Sequence, residues 1–203
     1  MESRRQKNSL KLISCLKYNK SRIGEHVKIL KPDYYVSNFK KVSLDRLKKE
    51  GIRLLLCDID NTLVSSYDPD SNQEVIDFVE KVKKAGLQIG IVSNSRRKRA
   101  KRFAKNLHID EVYYFSMKPL PYNFIRAMRV HNVKPNETAI LGDQLFTDIL
   151  GGNLSGLYTI LTKPISNKDK LMTVFNRKME NVVFKVFEKK YGFDKEVFDD
   201  ETL

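Results

Sequence analysis

An apolar run, Leu54-Leu55-Leu56-Cys57, stops abruptly at Asp58-Ile59-Asp60-Asn61-Thr62. Consecutive apolar residues closed by a polar turn fit a strand buried on both faces, as in parallel sheets. Side chains alternate along a strand, so Asp58 and Asp60 are expected on one face. They then stand at the carboxyl end of the strand, the edge of an open α/β sheet where ligands bind. Carboxylates crowded there repel, and a cation or a proton relieves the repulsion. A magnesium site with a nucleophilic carboxylate fits that demand. A solvated Asp-Asn turn at a strand end fits the same residues.

Three later segments narrow the choice. Leu87–Val92 runs into Ser93-Asn94, Val112–Phe115 precedes Lys118-Pro119, and Thr138–Leu141 runs into Gly142-Asp143 with Asp148 close behind. Each strand-like piece delivers a different group at its carboxyl end: carboxylates, a hydroxyl with an amide, an ammonium, a further carboxylate. Phosphoryl transfer to an acid nucleophile requires such a set. Between the strands, Gln73–Ala85, Ser95–Leu107 and Tyr122–His131 carry helical spacing, Leu145–Leu150 reads as a short helix, and Leu157–Leu161 as a last strand. Alternating strands and helices indicate an α/β, doubly wound parallel sheet.

The runs DIDNTLV, VSNS, MKP and LGDQLFTDILGGN, in this order, resemble the haloacid dehalogenase (HAD) superfamily. They are most similar to its YqeG-like branch of type IIIA phosphatases, to which a yeast mitochondrial phosphatidylglycerophosphate phosphatase is related. The resemblance spans residues Leu30 to Met179. It implies that Asp58 is the nucleophile and that Asp60 protonates the leaving oxygen and then activates water. It implies Mg²⁺ held by the carboxylates of Asp58 and Asp143 and the main-chain carbonyl of Asp60. Ser93 and Lys118 are implied to bind the phosphoryl group, with Lys118 lowering the Asp58 pKa. Asn94 either helps or caps the next helix. Asp148 orients a metal-bound water or Lys118. Cap domains of this superfamily sit after the first motif or between the second and third, and neither gap here has room for one. An open site suits a phosphate presented on something large, and phosphatidylglycerophosphate is the implied substrate.

Lys and Arg number 38 against 25 Asp and Glu, a formal charge of +13. That excess favours anionic partners: phosphorylated substrates, an anionic membrane surface, RNA or the ribosome. A non-enzymatic or weakly active RNA- or ribosome-associated module, with a vestigial site, is the rival reading. Arg96, Arg97, Lys98, Arg99, Lys101, Arg102 and Lys105 crowd one helix, with few acids in view to pair them. Arg96 and Arg97 are candidates to hold a second substrate phosphate. The helix is otherwise a solvated face, a lipid-binding face or an RNA-binding face.

Cys15 and Cys57 allow no disulfide framework, and Cys57 reads as a small strand-core residue. His26, His108 and His131 have no zinc-ligand spacing. No apolar run approaches membrane-spanning length. Location is expected to be cytoplasmic or peripheral at the inner face of the membrane. The organisation expected is a basic extension over 1–28, a catalytic domain over 29–165, and a helical extension with an acidic tail over 166–203. Leu10, Leu12, Ile13 and Leu16 suit a small amphipathic helix or a frayed tail, Pro32–Val42 reads as a docking segment, and Gly151-Gly152-Asn153 as a turn.

Overall fold

The computed structural model describes residues 28–109, 111–166 and 171–191. Its strands are β1 (Tyr34–Val36), β2 (Leu54–Cys57), β3 (Gln88–Val92), β4 (Val112–Tyr113), β5 (Thr138–Gly142) and β6 (Tyr158–Thr162). They form one sheet in the order β1-β6-β5-β2-β3-β4, and every pairing is parallel. The chain runs from β2 outward through β3 and β4, then crosses back to β5 on the other side. The crevice between the carboxyl ends of β2 and β5 is therefore where the winding direction changes, the place where such sheets bind ligands.

The helices are α1 (Leu44–Lys49), α2 (Gln73–Lys84), α3 (Arg97–Ala104), α4 (Tyr122–His131), α5 (Leu150–Leu154) and α6 (Leu171–Tyr191). Local chemistry sets several of their ends. Ser43 and Asn72 accept main-chain hydrogen bonds from Arg46 and Val75, capping α1 and α2. Asn132 closes α4 in the left-handed region, which Asn tolerates better than most residues.

Strand alternation splits β2 between the two sheet faces. Leu55 and Cys57 join a cluster with Val75, Phe78, Val79 and Val82 of α2 and Phe103 of α3. Leu54 and Leu56 join Phe124, Ala127 and Met128 of α4 on the other face. Covering both faces is what lets β2 be apolar throughout. A third cluster joins Leu145, Ile149 and Leu161 to Val183 and Phe187 of α6.

Several elements differ from the sequence reading. Pro32–Val42 holds an edge strand, β1, as well as packing side chains. The basic helix is shorter than Ser95–Leu107: Ser95 and Arg96 form its entry, and the chain leaves the helix after Ala104. Leu145–Ile149 forms a wide, π-type turn leading into α5. Gly151 and Gly152 are not a turn but lie within α5, and the close packing there requires glycine, because a Cβ on either would collide with a neighbour. Gly151 meets Phe124 and Pro119, and Gly152 meets Ile140 and Thr159. The C-terminal pattern resolves as one helix, α6. Cys15, the 1–27 stretch and the acidic tail lie outside the described residues.

The loop from β2 to α2 is too short for a cap domain, and among the described residues the chain between β3 and β4 carries only α3. Among the described residues, no helix is long and apolar enough to cross a membrane.

Candidate active site

β2 ends at Cys57, and the chain turns sharply through Asn61, whose φ is +64°. Thr62, Leu63 and Val64 all direct main-chain N–H groups at the Ile59 carbonyl. The two acids of the first motif have different hydrogen-bond partners. Asp58 is buried and meets Lys118, whose Nζ lies 2.7 Å from Oδ1. Asp60 is turned to α3, where it accepts from Ser95 Oγ at 2.5 Å and from Arg99 at 3.0 Å. The expected crowding of the two acids is nonetheless present, since the Asp60 charge helps to raise the Asp58 carboxyl. Asp58 is crowded further by Asp143 and Asp148, with one carboxylate oxygen from each of the three within 4.8 Å of the others.

Lys118 is the hub. Its Nζ also donates to Asp148 Oδ1 at 2.6 Å and to the Val92 carbonyl at 2.9 Å. Lys118 is only 6% exposed, which this fully bonded ammonium permits. The β4–α4 loop is clamped in place by the second motif. Asn94 Oδ1 accepts from Lys118 N at 2.8 Å, and Ser116 N donates to the Ser93 carbonyl at 3.1 Å. Asn94 is thus a brace for the Lys118 loop. It does not cap α3, whose N-terminus has no side-chain cap. Ser93 is buried beside this loop, and its Oγ accepts from Ser95 N.

Asp148 is buried too, not a helix-surface acid. Its Oδ2 accepts from Gln144 N and Thr147 Oγ1 while Oδ1 meets Lys118. Gly142 leaves room for it, since a Cβ there would collide with the Asp148 side chain. Asp143 receives a hydrogen bond from Thr62 Oγ1 at 3.3 Å.

Burial pushes the Asp58 carboxyl up to about 6; Lys118 pulls it down, and Asp148 adds to the rise. The expected lowering by Lys118 is present but outweighed by desolvation. Burial works against the Lys118 ammonium, yet the Asp148 and Asp58 carboxylates win and raise its pKa. Burial, reinforced by Asp58, raises the Cys57 thiol far above its usual range, which suits an inert core residue.

The donor set Asp58, Asp143 and Asp148 is all oxygen and buried, and its three carboxyl groups outnumber the Lys118 ammonium that faces them. A hard divalent cation such as Mg²⁺ fits it better than a zinc ion would. His131 instead meets the Gln88 side chain, far down the β3–α4 contact.

Two features escaped the sequence. Glu180, 2% exposed on α6, accepts from Leu145 N at 2.7 Å, just after Asp143. Its signal is spacing: Glu180 heads the buried stripe that continues at Val183 and Phe187. The basic helix also has acids to pair with. Arg99 is bound to Asp60, and Arg102 makes a two-pronged pair with Asp70 at 2.7 and 2.6 Å.

Comparison with known proteins points the same way as the geometry. Residues 13–166 match the family described as "Mitochondrial PGP phosphatase". "Probable phosphatase YqeG" of Bacillus subtilis is 35% identical over 163 residues, covering 80% of this chain and 94% of that protein. "Phosphatidylglycerophosphate phosphatase 1, chloroplastic/mitochondrial" of Arabidopsis thaliana is 26% identical over 149 residues, 68% of this chain and 42% of that one. "Glyceraldehyde 3-phosphate phosphatase" of Pyrococcus furiosus is 28% identical over 131 residues, 58% and 54% respectively. The family match starts inside the 1–28 stretch that the sequence reading set apart, and it stops short of Met179.

Proposed function

The chain belongs to the mitochondrial PGP phosphatase family, a YqeG-like branch of the HAD phosphatases, and from that footing we propose that it hydrolyses phosphatidylglycerophosphate through Asp58. The observation that carries the reading is the buried chain Asp58–Lys118–Asp148 with Asp143 alongside, at the carboxyl edge between β2 and β5.

In the first step an Asp58 oxygen attacks phosphorus, and the bond from phosphorus to the leaving oxygen breaks. Asp60 gives its proton to that oxygen, so phosphatidylglycerol leaves as an alcohol. In the second step water attacks phosphorus, Asp60 takes a proton from it, and the Asp58–phosphorus bond breaks to release inorganic phosphate. Ser93 and Lys118 hold the phosphoryl oxygens, with Asn94 keeping Lys118 in place. Asp148 fixes the direction of the Lys118 ammonium. Asp58, Asp143 and the main-chain carbonyl of Asp60 would hold Mg²⁺, which would supply positive charge between an anionic nucleophile and an anionic phosphate. Arg99 and Ser95 hold the Asp60 carboxyl group by hydrogen bonds.

The test is an assay of purified protein against phosphatidylglycerophosphate in detergent micelles, a phosphopeptide and a phosphosugar, with Mg²⁺ and with chelator. The lipid should be the best substrate, turnover should stop on chelation, and Mg²⁺ should restore it. Asp58→Asn should remove about a thousandfold or more of kcat while the circular dichroism spectrum stays unchanged. Full turnover in excess chelator would end the metal-assisted reading, and a preferred phosphosugar would end the lipid one.

A further inference from the structure

The loop that carries Lys118 has two faces. Ser116 and Lys118 point inward and are buried, while Phe115 and Met117 point outward at 54% and 65% exposure. The alternation is enforced by backbone: Phe115 and Met117 both have positive φ, +46° and +48°. Leu120 and Tyr122, just beyond, are 53% and 69% exposed. Single exposed apolar side chains need no explanation, but four within eight residues form a patch. Tyr67, after β2, and Ile165, after β6, are exposed on the same carboxyl edge of the sheet. The Ile165 N–H bonds to the Asn61 carbonyl, which ties that loop to the first motif.

Cations adjoin the patch. Arg96, Arg97 and Lys98 are exposed at the start of α3, on the loop that follows β3. Arg97 lies over the Tyr114 ring, 5.7 Å from its centre, and Tyr114 stands edge-on to Phe115 at 6.3 Å. Basic and apolar parts thus form one continuous rim beside the mouth above Asp58. Apolar and aromatic tips ringed by Arg and Lys match a surface that is apolar inside and anionic outside.

We propose that this rim docks the carboxyl edge of the sheet onto an anionic phospholipid bilayer. Phe115, Met117, Leu120 and Tyr122 enter the headgroup and acyl boundary, and Arg96, Arg97 and Lys98 lie among the lipid phosphates. The proposal rests on the reading of the substrate as a lipid phosphomonoester, since docking this edge brings a headgroup phosphate to Asp58 without extracting the lipid. Lys118 is held inward by Asp58, Val92, Asp148 and Asn94, so the outward side chains of the same loop are free to serve the membrane.

The test is co-sedimentation of the full chain with vesicles of phosphatidylcholine alone, or of phosphatidylcholine with phosphatidylglycerol. Wild type should sediment with the anionic vesicles and release as salt rises. The double variant Phe115→Asn/Met117→Asn keeps residues that accept positive φ, and Leu120→Ser/Tyr122→Ser probes the patch independently. Each should weaken vesicle partition about tenfold or more, because apolar burial dominates such anchoring. Turnover of p-nitrophenyl phosphate should stay within about twofold of wild type. Equal sedimentation of wild type with both vesicle types overturns the proposal, as does unchanged binding by either correctly folded double variant. So does a patch that proves to hold a second copy: no vesicle binding, and a drop in sedimentation coefficient in the variants. Hydrolysis of micellar phosphatidylglycerophosphate without vesicle binding would sink the docking alone. Variant-sensitive vesicle binding without that hydrolysis would sink the substrate reading and leave the docking in place.

Discussion

The carboxyl group of Glu180 accepts a hydrogen bond from the main-chain N–H of Leu145 at 2.7 Å, reaching from the C-terminal helix to the turn that follows Asp143. Both groups are buried, so water cannot replace the bond. Glu180→Ala should lower stability by about 2 kcal/mol, the cost of an unsatisfied buried donor. Glu180→Gln keeps an acceptor and should recover most of that loss. The half-saturating Mg²⁺ concentration should rise in the Ala variant and return near wild type in Gln. Urea denaturation and metal titration of activity check both.

Lys118 is one ammonium set among several carboxyl groups. Lys118→Met fills the space but leaves Asp58 and Asp148 without it. Breaking a buried pair in this way costs about 3–5 kcal/mol. The loss should shrink on acidification, as Asp58 takes up a proton, or on adding Mg²⁺. Thermal melts at two pH values, with metal and with chelator, measure it. A loss that ignores both conditions would assign Lys118 a packing role only.

The raised pKa of Asp58 gives a pH signature in metal-free protein. An unfolded Asp releases its proton near 3.8, whereas folded Asp58 holds it to about 6. Between those values the folded state binds more protons than the unfolded one, so stability falls as pH rises through the window and levels off above it. The drop is at most about 3 kcal/mol from this group. Asp70 and Glu137, both lowered by their partners, run the opposite way at the exposed surface. The difference between wild type and Asp58→Asn, by urea midpoint in chelator from pH 4 to 7, isolates the Asp58 contribution. A flat difference curve would refute it.

Arg99 and Arg102 lie one turn apart on α3 and should behave differently. Arg99→Ala frees the Asp60 carboxylate from its guanidinium, and kcat for a soluble ester should fall about tenfold with KM little changed. Arg102→Ala removes a partner of exposed Asp70 and should leave turnover as it was. Steady-state kinetics on p-nitrophenyl phosphate separate the two.

The sheet is legible in the sequence wherever a strand is an apolar run closed by a polar turn, as at β2, β3, β5 and β6. β1 is not, because three residues, Tyr34–Val36, find their ladder with Ile160, Leu161 and Thr162 far along the chain. Asp58, Ser93, Lys118, Asp143 and Asp148 are legible because each follows a strand. What each one touches is not: Asp58 meets Lys118, sixty residues further along the chain, and Asp60 meets Ser95 and Arg99. The pairing of Asp60 with Arg99 depends on where α3 begins. Glu180 is hidden because a lone acid in a helix normally faces water, and only the docking of α6 on Leu145 and Ile149 puts it inside.

Lys118 Nζ touches chain at Asp58, Val92 and Asp148, contacts separated from it by 60, 26 and 30 residues. All three together can form only when β2, β3 and the turn after β5 lie side by side. During refolding, activity must therefore return with the finished central sheet and never ahead of it. The lysine makes catalytic competence a late event, and a half-assembled molecule has the residues of the site but no site.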